Sequence, residues 1–295
     1  MTTVSLDSLN AADEAQFVTA LGDIYEHAPW VARAVYAQRP FATLAALNEA
    51  MTAAVRAAPR EQRLALIKGH PDLAGKAARA GAMTAHSKAE QASAGLDRLT
   101  DAELDEFHRR NDAYREKFGF PFIICVRRHG KDSILRQFER RLRNDVAAET
   151  DAALAEIFRI VALRLDQRVE ARDQLPVHGR LSTHVLDTHA GAPAAGVKIE
   201  LLELSAGGER CLIASAVTNR DGRTDRPLIG GRPLPIGRYE LRFHVGDYFA
   251  RLGTPRADPP FLDVVPVAFA IAEPEGHYHV PLLVTPWSYA TYRGS

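Results

Sequence analysis

The spacing of apolar residues in this chain changes near residue 176, and this change constrains the fold more than any other feature. Before that point apolar residues recur every three or four positions, as in residues 41–58 and 151–173, which is the period of an amphipathic helix. After it, apolar and polar residues alternate, as in GRYELRFHV from residue 237, which is typical of a half-buried strand. The sequence therefore predicts a multidomain α plus β protein, with an N-terminal all-α helical domain followed by a C-terminal β-sandwich.

Local signals support this division. In the first half, Thr100 and Glu103 have capping-box spacing, and Gly119 stands where that helix would end. We expect six to nine helices there and no strand. In the second half, Gly- and Pro-rich turns separate short apolar runs that include KIELLEL, CLIASAVT, FLDVVPVAFAI and HYHVPLLV. The predicted bounds are 1–170 for the helical domain, 171–178 for a linker and 179–295 for the β domain.

Composition limits the partners. Lys plus Arg and Asp plus Glu both number 37, so there is no charge excess to attract nucleic acid or an acidic membrane. The two cysteines, Cys125 and Cys211, lie far apart in apolar segments, which favours a reducing compartment. We find neither a signal-peptide pattern nor a run of about eighteen apolar residues. We therefore expect a small-molecule or protein partner and a cytoplasmic location.

The last nineteen residues are HYHVPLLVTPWSYATYRGS. They are unusually rich in apolar, aromatic and histidine residues for a chain end, where most chains are polar and loosely packed. On a strand, His277 and His279 would point to the same face. Such a pair permits a zinc site if His184, His189 or His244 supplies a further ligand. Two polar residues on a half-exposed strand are the commoner explanation, and the pattern alone leaves both open.

The β half resembles the transthyretin-like 5-hydroxyisourate hydrolases along nearly its whole length. The resemblance rests on LSTHVLDTHAGAPAAGV, TNRDGRTDRPL, FHVGDYF and the terminal YRGS that follows HYHVPLL. It implies a sandwich that assembles into a tetramer, with sites where dimers meet. By the same resemblance the catalytic residues are His184, Arg223, His279 and Ser295, and Tyr292 and Arg293 bind substrate.

These residue types suit hydrolysis of a ring amide. Histidine can serve as a base near neutral pH because its ordinary pKa lies there. Arg223 can stabilise the negative charge that develops on the carbonyl oxygen. The terminal carboxylate of Ser295 can orient a histidine much as an aspartate would. The end of the chain is therefore expected to form one wall of the site.

Three features of the helical half are chemically notable. His70 precedes Pro71, which ends a helix and holds the histidine rigid and, we expect, partly exposed. Ser87 and Glu90 have capping-box spacing, so a structural role for Glu90 is open. Arg164 shares the apolar face of a long helix with Ala153, Ile157, Ile160 and Val161. A buried arginine needs an anion, either a neighbouring carboxylate or a substrate carboxylate.

These segments are similar to the 2-oxo-4-hydroxy-4-carboxy-5-ureidoimidazoline (OHCU) decarboxylases. The motifs are HPDLAGK, SKAEQASAGLD, FGFPFIICVRRHGKDSIL and FERRLRND, within about residues 5–170. The resemblance implies a dimer that uses no cofactor and no metal, with His70 and Glu90 as catalytic residues. It also implies a set of substrate-binding residues: Pro71, Ser87, Gln91, Phe122, Ile123, Ile124 and Arg164.

The two resemblances fit together, because the hydrolase produces the substrate of the decarboxylase. They imply a homo-oligomeric enzyme of urate degradation, assembled as a dimer through the α domain and a tetramer through the β domain. It would convert 5-hydroxyisourate to OHCU and OHCU to (S)-allantoin. The alternatives are a non-catalytic transthyretin-like binding module fused to a helical dimerisation domain, a zinc-dependent amidohydrolase using the H-x-H strand, or a fusion with one inactive half.

Overall fold

The computed structural model describes residues 3–74 and 84–294 of the chain. The chain divides into two compact units. One comprises the chain up to residue 127 together with residues 133–177, and the other comprises residues 128–132 and the chain from residue 178. Helices dominate the first unit and strands the second, which confirms the predicted fold class. None of the described helices combines the length and the apolar character needed to cross a bilayer.

The helices of the first half begin and end at recognisable caps. The predicted capping box of Thr100 and Glu103 is confirmed, and Gly119 ends that helix in the left-handed conformation. The described helices are α1 (Leu6–Ala11), α2 (Glu14–Leu21), α3 (Trp30–Val35), α4 (Leu44–Ala57), α5 (Arg60–Lys68), α6 (Ala85–Ser93), α7 (Asp101–Phe118), α8 (Lys131–Arg141) and α9 (Val146–Arg168), with 3₁₀ turns at Tyr36–Gln38 and Val126–Arg128.

The long helix α9 organises the core of the helical unit. Its residues Ala153, Ile157, Ile160 and Val161 are buried on one face together with Arg164, as their spacing predicts. The prediction that this half contains no strand was wrong. Strand β1 (Val4–Ser5) pairs in parallel with β2 (Val169–Glu170) directly after α9. Two residues are too few to show an alternating pattern, so the sequence carries no signal of this pairing.

The second unit contains three sheets that share one buried core. The spatial orders of the strands are β10-β9-β6-β7, β13-β12-β4-β5 and β11-β3-β8. The strands are β3 (Gly179–Ser182), β4 (Val185–Asp187), β5 (Ala192–Pro193), β6 (Lys198–Leu204), β7 (Arg210–Val217), β8 (Ile229–Arg232), β9 (Gly237–His244), β10 (Val264–Ile271), β11 (His277–His279), β12 (Leu282–Val284) and β13 (Tyr289–Thr291).

Two predicted strands of this unit differ from the observed ones. The alternation through Val245 breaks off, because β9 ends at His244 and helix α10 (Val245–Arg251) follows. The buried residues Val245, Tyr248 and Phe249 have helical spacing, and this spacing prevails over the strand pattern. The run HYHVPLLV forms two strands rather than one. The first, β11, pairs with β3, and the second, β12, pairs with β4.

Candidate functional site

A cavity in the helical unit brings together residues from four segments. Its volume is about 350 Å³, including its open mouth. The chain after α5, helices α6 and α9, and the extended segment between α7 and α8 surround it. Leu73, Val126 and Ile160 give it apolar surface. All nine residues predicted for this half line it: His70, Pro71, Ser87, Glu90, Gln91, Phe122, Ile123, Ile124 and Arg164.

His70 enters the cavity wall at the end of α5, where Gly69 is the C-cap. The expectation of partial exposure was wrong, since His70 is only 7% exposed. Its Nδ1 lies 2.9 Å from the carbonyl oxygen of Leu66 and donates to it in the neutral ring. Burial lowers the pKa of His70 to about 4, against the raising effects of the Leu66 carbonyl and the Glu26 carboxylate. His70 is therefore neutral near pH 7, with an Nε2 that can accept a proton.

Arg164, which lines the cavity, is held by two carboxylates. Its Nε and Nη2 donate to the two carboxylate oxygens of Glu90 over 2.8 and 2.9 Å. Its Nη1 donates to Glu26 Oε2 over 3.0 Å and to the carbonyl oxygen of Ile24 over 3.2 Å. Ser87 Oγ lies 3.3 Å from Nη2. The neighbouring-carboxylate explanation is thus confirmed, and it places Arg164 and Glu90 in contact within the candidate site.

Glu26 was not predicted, although it is central to this arrangement. It is 2% exposed and lies in the turn between α2 and α3. The hydroxyl of Thr84 donates to its Oε1 over 2.6 Å. Burial alone would raise the pKa of Glu26, but the Thr84 hydrogen bond and the Arg164 charge outweigh burial and lower it. Glu26 is therefore a buried anion. It was not predicted because it lies far along the sequence from the motifs, where no pattern marks it as a site residue.

Helix α6 begins at a cap other than the one its sequence suggested. Thr84 is the N-cap, and its hydroxyl accepts from the backbone nitrogen of Ser87. The capping box of Ser87 and Glu90 was therefore wrong, because both residues lie inside the helix. This shift by three residues turns the side chains of Ser87 and Glu90 towards Arg164.

The side-chain amide of Gln91 supports the loop after Pro71. Its Oε1 accepts from the backbone nitrogen of Ala74 over 2.9 Å, and its Nε2 donates to the carbonyl oxygen of Asp72 over 3.1 Å. Asn111 donates to the neighbouring carbonyl oxygen of Leu73 over 2.8 Å. These bonds fix the loop that carries Pro71 into the cavity.

A buried polar network supports the part of the cavity wall formed by Phe122 and Ile123. Arg141 Nη1 donates to the carbonyl oxygen of Ile123 over 2.6 Å, and its guanidinium lies 4.6 Å from the ring centre of Phe122. Its Nε donates to Glu149 Oε1 over 2.8 Å. Glu149 is 0% exposed and also accepts from the Tyr114 hydroxyl. The network was not predicted, although Arg141 lies in the FERRLRND motif.

In the β unit, two strand segments bring His184 and Arg223 together. The two residues are paired in an isolated antiparallel bridge, supported by a 2.8 Å hydrogen bond from the Val185 nitrogen to the Gly222 carbonyl. Gly222 has φ +70°, and a Cβ there would lie 2.3 Å from the carbonyl oxygen of Val185. Only glycine allows this approach, so the DGR turn is what places Arg223 beside His184.

The H-x-H pair faces one hydroxyl group. His277 and His279 lie on the same face of β11, as predicted, and Ser182 on the neighbouring strand β3 contacts both rings. Its Oγ lies 3.2 Å from His277 Nε2 and 3.0 Å from His279 Nδ1. Ser182 was not predicted, because a partner on a parallel strand is not visible from sequence spacing.

Both predicted catalytic histidines of this unit favour the neutral form. Partial burial lowers the pKa of His279, and the positive charge of Arg223 lowers it further. The same two causes lower the pKa of His184, partly opposed by a hydrogen bond with the backbone of Asp221. Within the described chain, His184 Nε2 is buried and has no hydrogen-bond partner. The pair can therefore accept protons from a bound molecule.

The C-terminal segment returns to this cluster. The Gly294 nitrogen donates to the His279 carbonyl oxygen over 2.8 Å, and a Cβ on Gly294 would lie 2.8 Å from His279 Cδ2. Arg293 contacts Glu273 over 3.4 Å and lies 4.5 Å from the ring centre of Tyr278. Tyr292 is 58% exposed. Ser295 lies outside the described residues, and the roles predicted for Tyr292, Arg293 and Ser295 stay predictions.

The remaining candidate zinc ligands point elsewhere. His189 packs edge-on against Trp287, and His244 Nε2 lies 3.1 Å from Glu200 Oε2. Among residues 3–74 and 84–294, no three His, Cys, Asp or Glu side chains are grouped so that they could hold a metal ion.

Comparison with known proteins gives a separate match for each half. Residues 10–166 match the OHCU decarboxylase family, and residues 181–294 match the HIUase/transthyretin family. The 5-hydroxyisourate hydrolase of Deinococcus radiodurans is 57% identical over 118 residues, which cover 40% of this chain and 98% of that protein. The 2-oxo-4-hydroxy-4-carboxy-5-ureidoimidazoline decarboxylase of Halalkalicoccus jeotgali is 41% identical over 173 residues, which cover 59% of this chain and 96% of that protein.

One solved structure is similar over almost the entire chain. It is a crystal structure of (S)-allantoin synthase, 37% identical in sequence, with a TM-score of 0.53. The match covers 99% of this chain and 100% of that one.

Proposed function

We propose the function of this chain from one premise: it belongs to the OHCU decarboxylase family over residues 10–166 and to the HIUase/transthyretin family over residues 181–294. The two resemblances drawn from the sequence motifs are thereby confirmed. In our proposal the chain is a bifunctional enzyme of urate degradation. The β domain (179–295) hydrolyses 5-hydroxyisourate to OHCU, and the helical domain (1–170) decarboxylates OHCU to (S)-allantoin. The linker, 171–178, contains no helix or strand.

In the β domain, a neutral histidine takes a proton from water while the water oxygen attacks the ring amide carbonyl. His184 and His279 both fit this role because their pKa values are lowered. Arg223 stabilises the oxyanion of the tetrahedral intermediate. The C–N bond then breaks, and the histidine returns its proton to the leaving nitrogen. Ser182 holds the ring of His279 through Nδ1. In our proposal the terminal carboxylate of Ser295 also orients a histidine.

In the helical domain, the carboxylate of OHCU lies on a carbon beside a C=N bond. When the C–C bond to this carboxylate breaks and CO₂ leaves, the electron pair moves onto the C=N nitrogen and leaves an enol with a negatively charged ring nitrogen. His70 accepts the hydroxyl proton at Nε2 and returns it to this nitrogen. One further proton, added to the ureido-bearing carbon, completes allantoin and is the proton that the net reaction consumes. Delivery of this proton from one face gives the (S) product.

The observation that carries the proposal is the composition of the helical cavity. A buried, neutral His70 lines the same cavity as the Arg164–Glu90 pair, together with apolar residues. A purely structural helix bundle has no reason to keep a buried arginine, two carboxylates and a buried histidine around an open volume.

The proposal is tested by following both steps on freshly prepared 5-hydroxyisourate. The decay of its absorbance reports hydrolysis, and circular dichroism of the allantoin reports stereoselective decarboxylation. We expect His70→Ala to abolish the second step and to leave the first intact. We expect His279→Ala to slow the first step about a hundredfold or more and to leave OHCU decarboxylation unchanged. Loss of both activities in either folded variant would contradict the two-site proposal.

We further propose that the chain forms a homo-oligomer through both domains, a dimer through the helical domain and a tetramer through the β domain. Light scattering on the intact protein tests this. The predicted cytoplasmic location stays a prediction. A zinc-dependent hydrolase would lose activity in excess chelator, whereas the mechanism above predicts no loss.

A further inference from the structure

All donor positions of Arg164 are occupied in the described structure. A guanidinium has five N–H groups. Two of them reach Glu90, one reaches Glu26, one reaches the Ile24 carbonyl, and the last faces Ser87 Oγ at 3.3 Å. A substrate carboxylate cannot simply add to this set. If Arg164 binds the carboxylate of OHCU, as the proposed function requires, the substrate must take the place of an existing partner.

Of the two carboxylates, Glu90 is the one that can leave. Its side chain is 15% exposed and lines the cavity, whereas the Glu26 side chain is 1% exposed. Glu26 is also fixed by Thr84 on its other oxygen. Removing Glu26 from Arg164 would strand a buried charge, which is costly. Glu90 can instead turn into the volume of the cavity, which its side chain lines.

We propose that the substrate carboxylate binds by displacing Glu90 from Nε and Nη2 of Arg164, while Glu26 keeps the guanidinium in place from Nη1. This inference rests on the proposed decarboxylase function. In this exchange Glu26 is a positioning residue. The Ser87 hydroxyl, 3.3 Å from Nη2 of Arg164, can donate a hydrogen bond to the carboxylate that takes the place of Glu90.

Once decarboxylation is complete, the substrate carboxylate has left as CO₂, and the product has no carboxylate to compete for Arg164. Glu90 then returns to Nε and Nη2 of Arg164. The same exchange thus favours product release.

The test compares a charged and a neutral ring ligand on the intact protein. Hydantoin-5-acetate carries a ring and a carboxylate that does not react, and hydantoin-5-acetamide is its neutral match. Isothermal titration calorimetry gives the affinity of each ligand. The variants are Glu90→Gln and Glu90→Ala, since neither retains a charge that competes for Arg164.

For the wild type we expect hydantoin-5-acetate to bind in competition with Glu90. In Glu90→Gln it should bind about tenfold more tightly, because a neutral amide is a weaker partner for arginine. The acetamide should bind equally to both proteins. Turnover of OHCU should be lost in the variant although its affinity for the carboxylate rises.

An unchanged or weaker affinity of both variants for hydantoin-5-acetate would overturn the exchange. Failure of the proposed function would look different, because the wild type itself would then leave OHCU unconverted. Glu90→Ala is included because a new hydrogen bond of the glutamine amide in Glu90→Gln could mask the gain in affinity for hydantoin-5-acetate.

Discussion

Replacing Arg141 by methionine removes a buried positive charge without removing much apolar volume. Arg141 is 3% exposed and Glu149 is 0% exposed, and Arg141 Nε donates to Glu149 over 2.8 Å. The variant leaves the Glu149 carboxylate buried with only neutral partners, among them Tyr114 and Asn144. Breaking a buried pair in this way costs about 3–5 kcal/mol. A domain of this size loses roughly 2–4 °C of Tm per kcal/mol, so we expect a fall of roughly 6–20 °C.

Thermal unfolding followed in the helical band of the far-ultraviolet circular dichroism spectrum measures this loss. The matched control is Arg33→Met, which removes an exposed pair with Glu14, whose side chains are 62% and 52% exposed. That change should cost less than about 1 kcal/mol. Adding Glu149→Gln to Arg141→Met should recover part of the stability, because no charge then remains buried.

The same variant should also impair decarboxylation. Arg141 holds the Ile123 carbonyl and packs on Phe122, and both residues line the cavity. We therefore expect a higher KM for OHCU at temperatures where the variant is folded, with hydrolysis of 5-hydroxyisourate unchanged. If the Tm of Arg141→Met stays within the change seen for Arg33→Met, the reasoning about the buried network is refuted.

Three further predictions concern the histidines. Burial lowers the pKa of His70 from 6.5 to about 4, so His70 binds a proton at a higher pH in the unfolded chain than in the folded one. The stability of the helical unit should therefore drop as the pH falls from about 6.5 to 4. The denaturation midpoints of His70→Gln should lack this part of the pH dependence. Arg223→Gln should raise the pKa values of His184 and His279, which moves the acidic limb of the hydrolysis pH–rate profile upwards. Gly294→Ala should push a Cβ into the His279 ring and lower the kcat of hydrolysis at unchanged Tm, whereas a wild-type kcat would contradict the contact.

The helical cavity shows how far sequence reasoning reaches. A lone arginine on the apolar face of α9 had to meet an anion, and the residue type and its spacing were enough to say so. Its partner Glu26 lies 138 positions away in a turn. Only tertiary packing selects that carboxylate among the acidic residues of the chain. The cap at Thr84 was missed for a related reason, because Ser87 and Thr84 are both good N-cap residues and the packing of α6 decides between them.

The β site shows a second limit of sequence reasoning. That His277 and His279 share a face follows from the period of a strand, and the structure confirms it. The break of their strand before Leu282, and the contact with Ser182, depend on which strand lies alongside. Pairing between strands distant in sequence is set by the whole sandwich, so local patterns do not contain it.

Burial is the largest cause of the lowered histidine pKa values in both sites, but the β site adds a second cause that the sequence encodes, and this difference explains which parts were predictable. The DGR turn is written in the sequence, and where it forms, the positive charge of Arg223 lowers the pKa values of His184 and His279 further. For His70, the dominant cause is burial, which no residue in the HPDL motif encodes. The motif predicted a rigid histidine and gave its exposure wrongly. A neutral base at that position is therefore a property of the packed helical unit, and variants that loosen its core should raise the His70 pKa even where they leave every cavity residue in place.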